Sequence, residues 1–151
     1  MKSLQDFLLE RDYIKAKLHL TKTNHFEIIA KINGVKGIFI LDTGASSSCV
    51  GFEAKEIFNL QVKDSEIKAA GAGAVNMLTQ VSTSNRLTIG KWKQEKTALI
   101  LFDLTHVNTA LTNHNAKPVN GIIGADILKK GKAIIDYEKK YLYLKKSSKK
   151  K

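Results

Sequence analysis

Ile38-Phe39-Ile40-Leu41-Asp42-Thr43-Gly44-Ala45-Ser46-Ser47-Ser48-Cys49-Val50 is the stretch whose reading decides the fold. Ile38 to Leu41 form a short apolar run rich in β-formers, the pattern of a strand buried on both faces. Asp42 follows where such a strand must end, and Thr43-Gly44 supply turn chemistry. A carboxylate at the mouth of a buried strand costs free energy unless it is hydrogen-bonded or shares its charge with a partner. Taken alone, Asp42 reads as an Asx-turn that closes the strand. The apolar run before it, the small residues after it and a second apolar block near the C-terminus weigh against so plain a role.

Upstream, Phe26 to Ile32 reads as a strand, and Asn33-Gly34 joins it to Val35 through Leu41 as a two-residue hairpin. Asp42 therefore ends the second arm of a hairpin. Further upstream, Tyr13 to Thr21 alternates, with Ile14, Ala16, Leu18 and Leu20 set against Lys15, Lys17 and His19, as a half-buried strand does. Ser3 to Arg11 fits a short amphipathic helix capped by Ser3, with Leu4, Phe7 and Leu8 on one side.

Downstream, Glu53 to Leu60 is expected to form a short helix with Ile57 and Leu60 turned inward. Glu66 to Ala70 and Val75 to Ser82 flank the glycine-rich tip Gly71-Ala72-Gly73-Ala74. Phosphate cradling does not suit this tip, because Asn76 stands where the third Gly of G-x-G-x-x-G would be. A hairpin tip does, since Gly tolerates positive φ and lets a backbone lie close to a ligand. Arg86 to Ile89 and Thr97 to Phe102 read as strands around the polar turn Gly90-Lys91-Trp92-Lys93, and Thr105 to Lys117 as polar and irregular. In Val119-Asn120-Gly121-Ile122-Ile123-Gly124-Ala125-Asp126-Ile127-Leu128 an apolar strand runs into Gly124. A helix begins there, with Ile127 and Leu128 inward. Ala133 to Asp136 and Tyr141 to Leu144 pair through the turn at Tyr137 to Lys140.

With 151 residues, 43% of them hydrophobic, one domain with a real core is expected. Pro118 is the single proline, and neither a linker nor a repeat divides the chain. The net charge of +11 comes almost wholly from Lys, with Arg11 and Arg86 the two arginines. Bidentate base or phosphate recognition favours Arg, and no basic motif is interleaved with aromatics, so nucleic acid is not the expected partner. The run from Lys145 to Lys151 reads as a solvated tail. One cysteine, Cys49, excludes an intramolecular disulfide, fits a reducing compartment and reads as a packed core thiol. Neither HExxH nor a His/Cys/carboxylate cluster is present, so no metal and no cofactor are expected. No signal-peptide h-region and no membrane-length apolar run occur, and the expected location is cytoplasmic, with no membrane partner.

Leu41-Asp42-Thr43-Gly44-Ala45-Ser46 resembles the active-site signature of the single-domain, retropepsin-like aspartic proteases. Ile122-Ile123-Gly124 resembles that family's second signature, two hydrophobics and a glycine threading near the catalytic loop. Asp126-Ile127-Leu128 and the strand pair after it follow the same pattern, so the likeness covers roughly residues 25 to 145. It implies an all-β, closed acid-protease barrel with a flap hairpin and one short C-terminal helix. Residues 1–24 would then be an N-terminal extension with a short helix and strand, and 146–151 a basic disordered tail.

The chemistry implied is peptide hydrolysis by two carboxylates sharing one proton around a water. Like charges so close cannot both ionise, so such a pair titrates as a unit. The resemblance assigns the carboxylate to Asp42, a loop-locking hydroxyl to Thr43 and close backbone approach to Gly44. It lines the site with Ala45 and Ser46, supports it with Ile122, Ile123 and Gly124, and covers a peptide or protein substrate with Gly71, Ala72, Gly73 and Ala74 of the flap. Backbone pairing between flap and floor would hold an extended substrate. Asp-Thr-Gly occurs once and the chain is too short for two lobes, so a homodimer is implied, with Asp42 from each subunit. Ala45 cannot donate a hydroxyl to a catalytic carboxylate, which places the expected optimum at mildly acidic to near-neutral pH. A serine hydrolase would need more than Ser46 to Ser48 and four histidines, and the G-x-S-x-G elbow is missing. The alternative is a retropepsin-like dimerisation or peptide-binding module with weak or lost catalysis, since fold and function are separable. Such a module has no need of Asp42.

Overall fold

A computed structural model of the chain describes residues 1–71 and 74–147, with side chains described outside 64–78. The elements in order are α1 (Leu4–Leu9), β1 (Tyr13–Lys17), β2 (His19–Leu20), β3 (Phe26–Ile32), β4 (Val35–Leu41), β5 (Cys49–Gly51), α2 (Ala54–Ile57), β6 (Lys63–Gly71), β7 (Ala74–Ile89), β8 (Trp92–Phe102), α3 (Thr105–Asn113), β9 (Gly121–Ile123), α4 (Ala125–Lys130), β10 (Ile134–Asp136) and β11 (Tyr141–Lys145). Eight strands share one sheet in the order β2-β3-β4-β9-β5-β8-β7-β6. A further pairing of β3 with β7, Lys31 opposite Thr88 and Ile32 opposite Leu87, bends six of them into a closed ring. The expected all-β barrel is therefore present: β3, β4, β9, β5, β8 and β7.

The hairpin of β3 and β4 follows from Asn33-Gly34. Both residues take positive φ, 53° and 86°, as the twist-matching two-residue turn requires. The turn sets the register from Ile32 opposite Val35 to Phe26 opposite Leu41. Along β3, Phe26, Ile28, Ala30 and Ile32 alternate inward, while in β4 Phe39, Ile40 and Leu41 are all buried. The reason lies on both sides of the sheet. Phe39 and Leu41 enter the barrel core, whereas Ile40 joins a second apolar cluster outside the barrel with Cys49, Phe102, Leu104, Leu111, Val119 and Ile122.

That outer cluster is roofed by α3, where the sequence reads as irregular. The segment is helical because Asp103 accepts from the Thr105 amide and hydroxyl, and because Leu104 and Leu111 are buried. Asn108 clamps the next loop, donating to the Val119 carbonyl and accepting from the Val119 amide.

Other expectations change in detail. The strand expected over Tyr13 to Thr21 splits at Leu18, whose amide bonds the Lys140 carbonyl. β1 pairs with β11 in a three-stranded sheet with β10, and β2 pairs with β3, leaving Leu20 47% exposed. Trp92, expected in a turn, begins β8, is buried, and donates its indole N–H to the Lys145 carbonyl. The helix expected over Glu53 to Leu60 covers only Ala54–Ile57, with Leu60 buried and Ile57 42% exposed. In α1, Ser3 caps as expected, yet Leu8 alone is buried while Leu4 and Phe7 are exposed. Lys145 belongs to β11, and Ser148 to Lys151 of the expected tail lie outside the described residues.

Candidate active site

Asp42 is exposed at the end of β4. Its amide donates to the Ile123 carbonyl at 2.9 Å, and its carbonyl accepts from Ala45 at 3.1 Å. Its carboxylate Oδ1 accepts the Gly44 N–H at 2.9 Å, so the carboxylate does close an Asx-type turn. Oδ2 has no partner among the described residues. The same holds for the exposed Thr43 hydroxyl.

The second signature reaches Asp42 through strand register. β9 runs parallel to β4, with Phe39 opposite Gly121, Ile40 opposite Ile122 and Leu41 opposite Ile123. Equal rise along both strands then brings Ile123-Gly124 beside Leu41-Asp42. Ile122 belongs to the outer cluster and Ile123 to the barrel core. Beyond them Ala125 donates to the Ala45 carbonyl at 2.7 Å. Gly124 sits so tightly against this loop that a Cβ there would lie 2.5 Å from the Ala45 carbonyl oxygen. Ala45 is half-buried and Ser46 exposed. Thus Asp42, Thr43, Gly44, Ala45, Ser46, Ile122, Ile123 and Gly124 occupy one junction.

The other expected site residues belong to the hairpin of β6 and β7, where Gly71 pairs with Ala74. Its ladder shifts register between Ser65 and Ala69 and again before Gly71. Ala72 and Gly73 lie outside the described residues.

Two residues to which the sequence reading gave no role in the site complete the junction. The Ser48 hydroxyl donates to Asp126 Oδ1 at 2.7 Å, and the Ser48 amide donates to Asp126 Oδ2 at 3.1 Å. The Gly124 amide in turn donates to Ser48 Oγ at 2.8 Å. The spacing could have hinted at this, since Asp126 stands two residues after the glycine that crosses the Asp42 loop. Ser48 is 1% exposed, and no described histidine hydrogen bond reaches Ser46 to Ser48, so the arrangement is not that of a serine nucleophile. Next to it Cys49 is buried in the outer cluster. Burial, followed by the negative charges of Asp126 and Asp42, pushes its thiol up to about 12, as befits a core thiol. Among the described residues no cluster of three His, Cys, Asp or Glu could hold a metal ion.

A family model described as aspartyl protease matches residues 28–127, a span that holds the whole junction. The chain belongs to the aspartyl protease family. Among solved structures it is similar to a retropepsin-like aspartic protease from Rickettsia conorii, with 23% identity and a TM-score of 0.60 over 87% of this chain and 89% of that one. It is also similar to the retroviral protease-like domain of Ddi1 from Leishmania major, with 16% identity and a TM-score of 0.54 over 78% of this chain and 86% of that one. Likeness at these identities establishes the fold, which is retropepsin-like. No curated protein matches the sequence. Among the described residues of this aspartyl protease family member, no helix is long and apolar enough to cross a membrane.

Proposed function

We propose that this protein is an aspartic endopeptidase, hydrolysing peptide bonds in extended peptide or protein substrates with a water held between two Asp42 carboxylates, one from each subunit of a homodimer. The observation that carries this reading is the exposed Asp42 at the end of β4, its amide fixed by Ile123 and its Oδ2 open. In the reaction the ionised carboxylate takes a proton from the water, whose oxygen adds to the scissile carbonyl carbon while the protonated partner polarises the carbonyl oxygen. The C–N bond then breaks as the leaving nitrogen takes a proton from the dyad.

The count of carboxylates supports the dimer. Asp-Thr-Gly occurs once, and Asp126, the other acid of the junction, is engaged by Ser48 through both oxygens. In this reading Thr43, exposed at the loop, hydrogen-bonds the loop of a second copy. By the same reading Ala45 and Ser46 line the cleft, the hairpin of β6 and β7 that carries Gly71 and Ala74 serves as its cover, and Ile122, Ile123 and Gly124 support the loop. Residues 25–145 form the protease domain in this reading, with 1–24 an extension and 146–151 a tail, and the lone cysteine favours a cytoplasmic setting.

Turnover of a peptide library at several pH values tests the proposal. The native protein should cleave internal bonds, and Asp42→Asn should abolish cleavage with the fold intact, because an amide can neither act as the base nor share the proton. Cleavage by a clean Asp42→Asn preparation would remove Asp42 from the mechanism. Peptide binding without turnover by the native protein would favour the non-catalytic module instead.

A further inference from the structure

We infer that Ser48 and Asp126 are positioning residues: together they fix the tilt of the Ile123–Gly124 peptide plane, and through it the Asp42 loop. This inference rests on the proposed role of Asp42 for its functional meaning, though not for its geometry. The Ile123 carbonyl and the Gly124 N–H are the two ends of one planar, rigid unit. The carbonyl end accepts from the Asp42 amide at 2.9 Å, and the N–H end donates to Ser48 Oγ at 2.8 Å. In a trans peptide these ends point in opposite directions, so residues 42 and 48 of one loop grip opposite edges of the same plane. A rotation that loosened one grip would loosen the other.

What holds Ser48 is Asp126. An ionised carboxylate only accepts hydrogen bonds, so the Ser48 hydroxyl must give its single proton to Asp126 and keep its lone pairs for Gly124. The direction of the chain Gly124 N–H to Ser48 O–H to Asp126 is therefore fixed, and each bond polarises the next. The Ser48 amide adds a second bond to the same carboxylate, which locks the residue's backbone as well as its hydroxyl. Asp126 forms no ion pair among the described residues, where the two pairs are Lys2 with Glu10 and Arg86 with Glu95. Its role is thus to accept from Ser48, not to neutralise a cation. Ser48 itself is buried, so it acts through Gly124 and not on a substrate.

Ser48→Ala, Ser48→Thr and Asp126→Asn, made in the full chain, test this with two readouts. Amide hydrogen exchange is followed at Gly124, at Asp42 and along the ladder of β1 and β11, and kcat and KM are measured on a cleaved peptide. Ser48→Ala should speed exchange at Gly124 and Asp42 by about tenfold or more through local opening while sparing the distant ladder. It should also lower kcat by roughly ten- to a hundredfold with KM little changed, the cost of a misplaced catalytic group. Ser48→Thr, which keeps the hydroxyl, should restore both. Asp126→Asn offers one acceptor oxygen where Ser48 needs two, and should behave as Ser48→Ala does, standing in for it if that variant fails to fold. Unchanged exchange at Gly124 and Asp42 in Ser48→Ala or Asp126→Asn overturns the inference. So does a loss of protection that includes the β1–β11 ladder and is not rescued by Ser48→Thr, which would mark a general structural role. A native protein that cleaves no peptide refutes the protease reading alone, because the exchange readout still decides the positioning.

Discussion

The side-chain amide of Asn33 donates to the side-chain oxygen of Asn85 at 3.0 Å, across the seam where β3 meets β7 and the barrel closes. Asn33 also donates to the Phe58 carbonyl and accepts from the Arg86 amide. Asn85 is buried and donates to Ser82 and the Thr97 carbonyl. One hairpin residue thus ties three segments together while holding the positive φ that the turn demands. Asn33→Ala keeps the hairpin's sequence neighbours, but strands Asn85 and the Phe58 carbonyl and strains the turn. The expected loss is about 2–4 kcal/mol, from the orphaned partners and the left-handed backbone. Urea unfolding of the two proteins checks it, and a loss below about 1 kcal/mol, the scale of a single ordinary hydrogen bond, would mean the seam does not depend on this residue.

If the active species is a homodimer, specific activity falls on dilution as subunits separate. Excess Asp42→Asn chain mixed with native protein then lowers activity beyond simple dilution, because mixed dimers hold one carboxylate and one amide. A sedimenting monomer whose specific activity is independent of concentration contradicts the two-subunit site.

Gly124 takes φ −111° and ψ −167°, a backbone open to any residue, so its demand is for space alone. Its added Cβ would meet backbone at the Ala45 carbonyl, 2.5 Å away, and backbone yields less readily than a side-chain tip. Gly124→Ala should therefore cost about 2–3 kcal/mol by overpacking and suppress peptide cleavage by pushing the Asp42 loop aside. Thermal unfolding and turnover measured on one preparation check both, and full activity with an unchanged Tm would show that the crossing can open.

Cys49 links the junction to alkaline stability. Its folded thiol is held up to about 12, against 9.0 for the ordinary group, by burial and then by Asp126 and Asp42. Because the folded value is the higher one, the contribution is complete below the unfolded value. It is lost as pH rises toward the folded value, while the unfolded chain gives up its proton and the folded chain keeps it. Stability of the native protein should fall across this window with a slope of up to about 1.4 kcal/mol per pH unit attributable to this thiol. Cys49→Ala removes that component, leaving the shared titration of Lys and Tyr. Urea midpoints for both proteins on either side of pH 9.0 give the difference, and parallel pH dependences would show that the thiol ionises as freely when folded.

The barrel and the Asp42 corner were legible where local chemistry and tertiary need agree. Asn33-Gly34 dictates a turn type, Ile38 to Leu41 needs apolar neighbours on both faces, and Ile122 to Gly124 ends a buried strand in a glycine that tolerates close backbone. α3 was not legible because Thr105, Asn108, Thr109, Thr112 and Asn113 favour turns by propensity. Its helix rests on the bonds from Thr105 to Asp103 just before it and on an apolar cluster drawn from β4, β5, β8 and β9. Trp92 was misread for a similar reason. Its polar neighbours suggest a turn, yet its ring fills core beside Gly131 and Leu144, residues far along the chain. Ser48 was hidden by composition, since a serine among three serines carries no mark until the fold buries it, while Asp126 was in view after Gly124 but without the partner that gives it a role.

The order of strands has a consequence for the time at which this molecule comes into being. β4 and β5 follow one another in sequence, yet β9 lies between them, so their slot stays open until Gly121–Ile123 arrives. Asn33-Gly34 lets the first hairpin form within roughly microseconds, but closing long loops is slow and entropically costly. During synthesis, which delivers the N-terminal segments first, Asp42 waits for Ile123 before its amide has a partner. The corner that carries the carboxylate therefore takes shape only after β9 has joined the sheet, so the Asp42 loop depends on a strand made far later than itself.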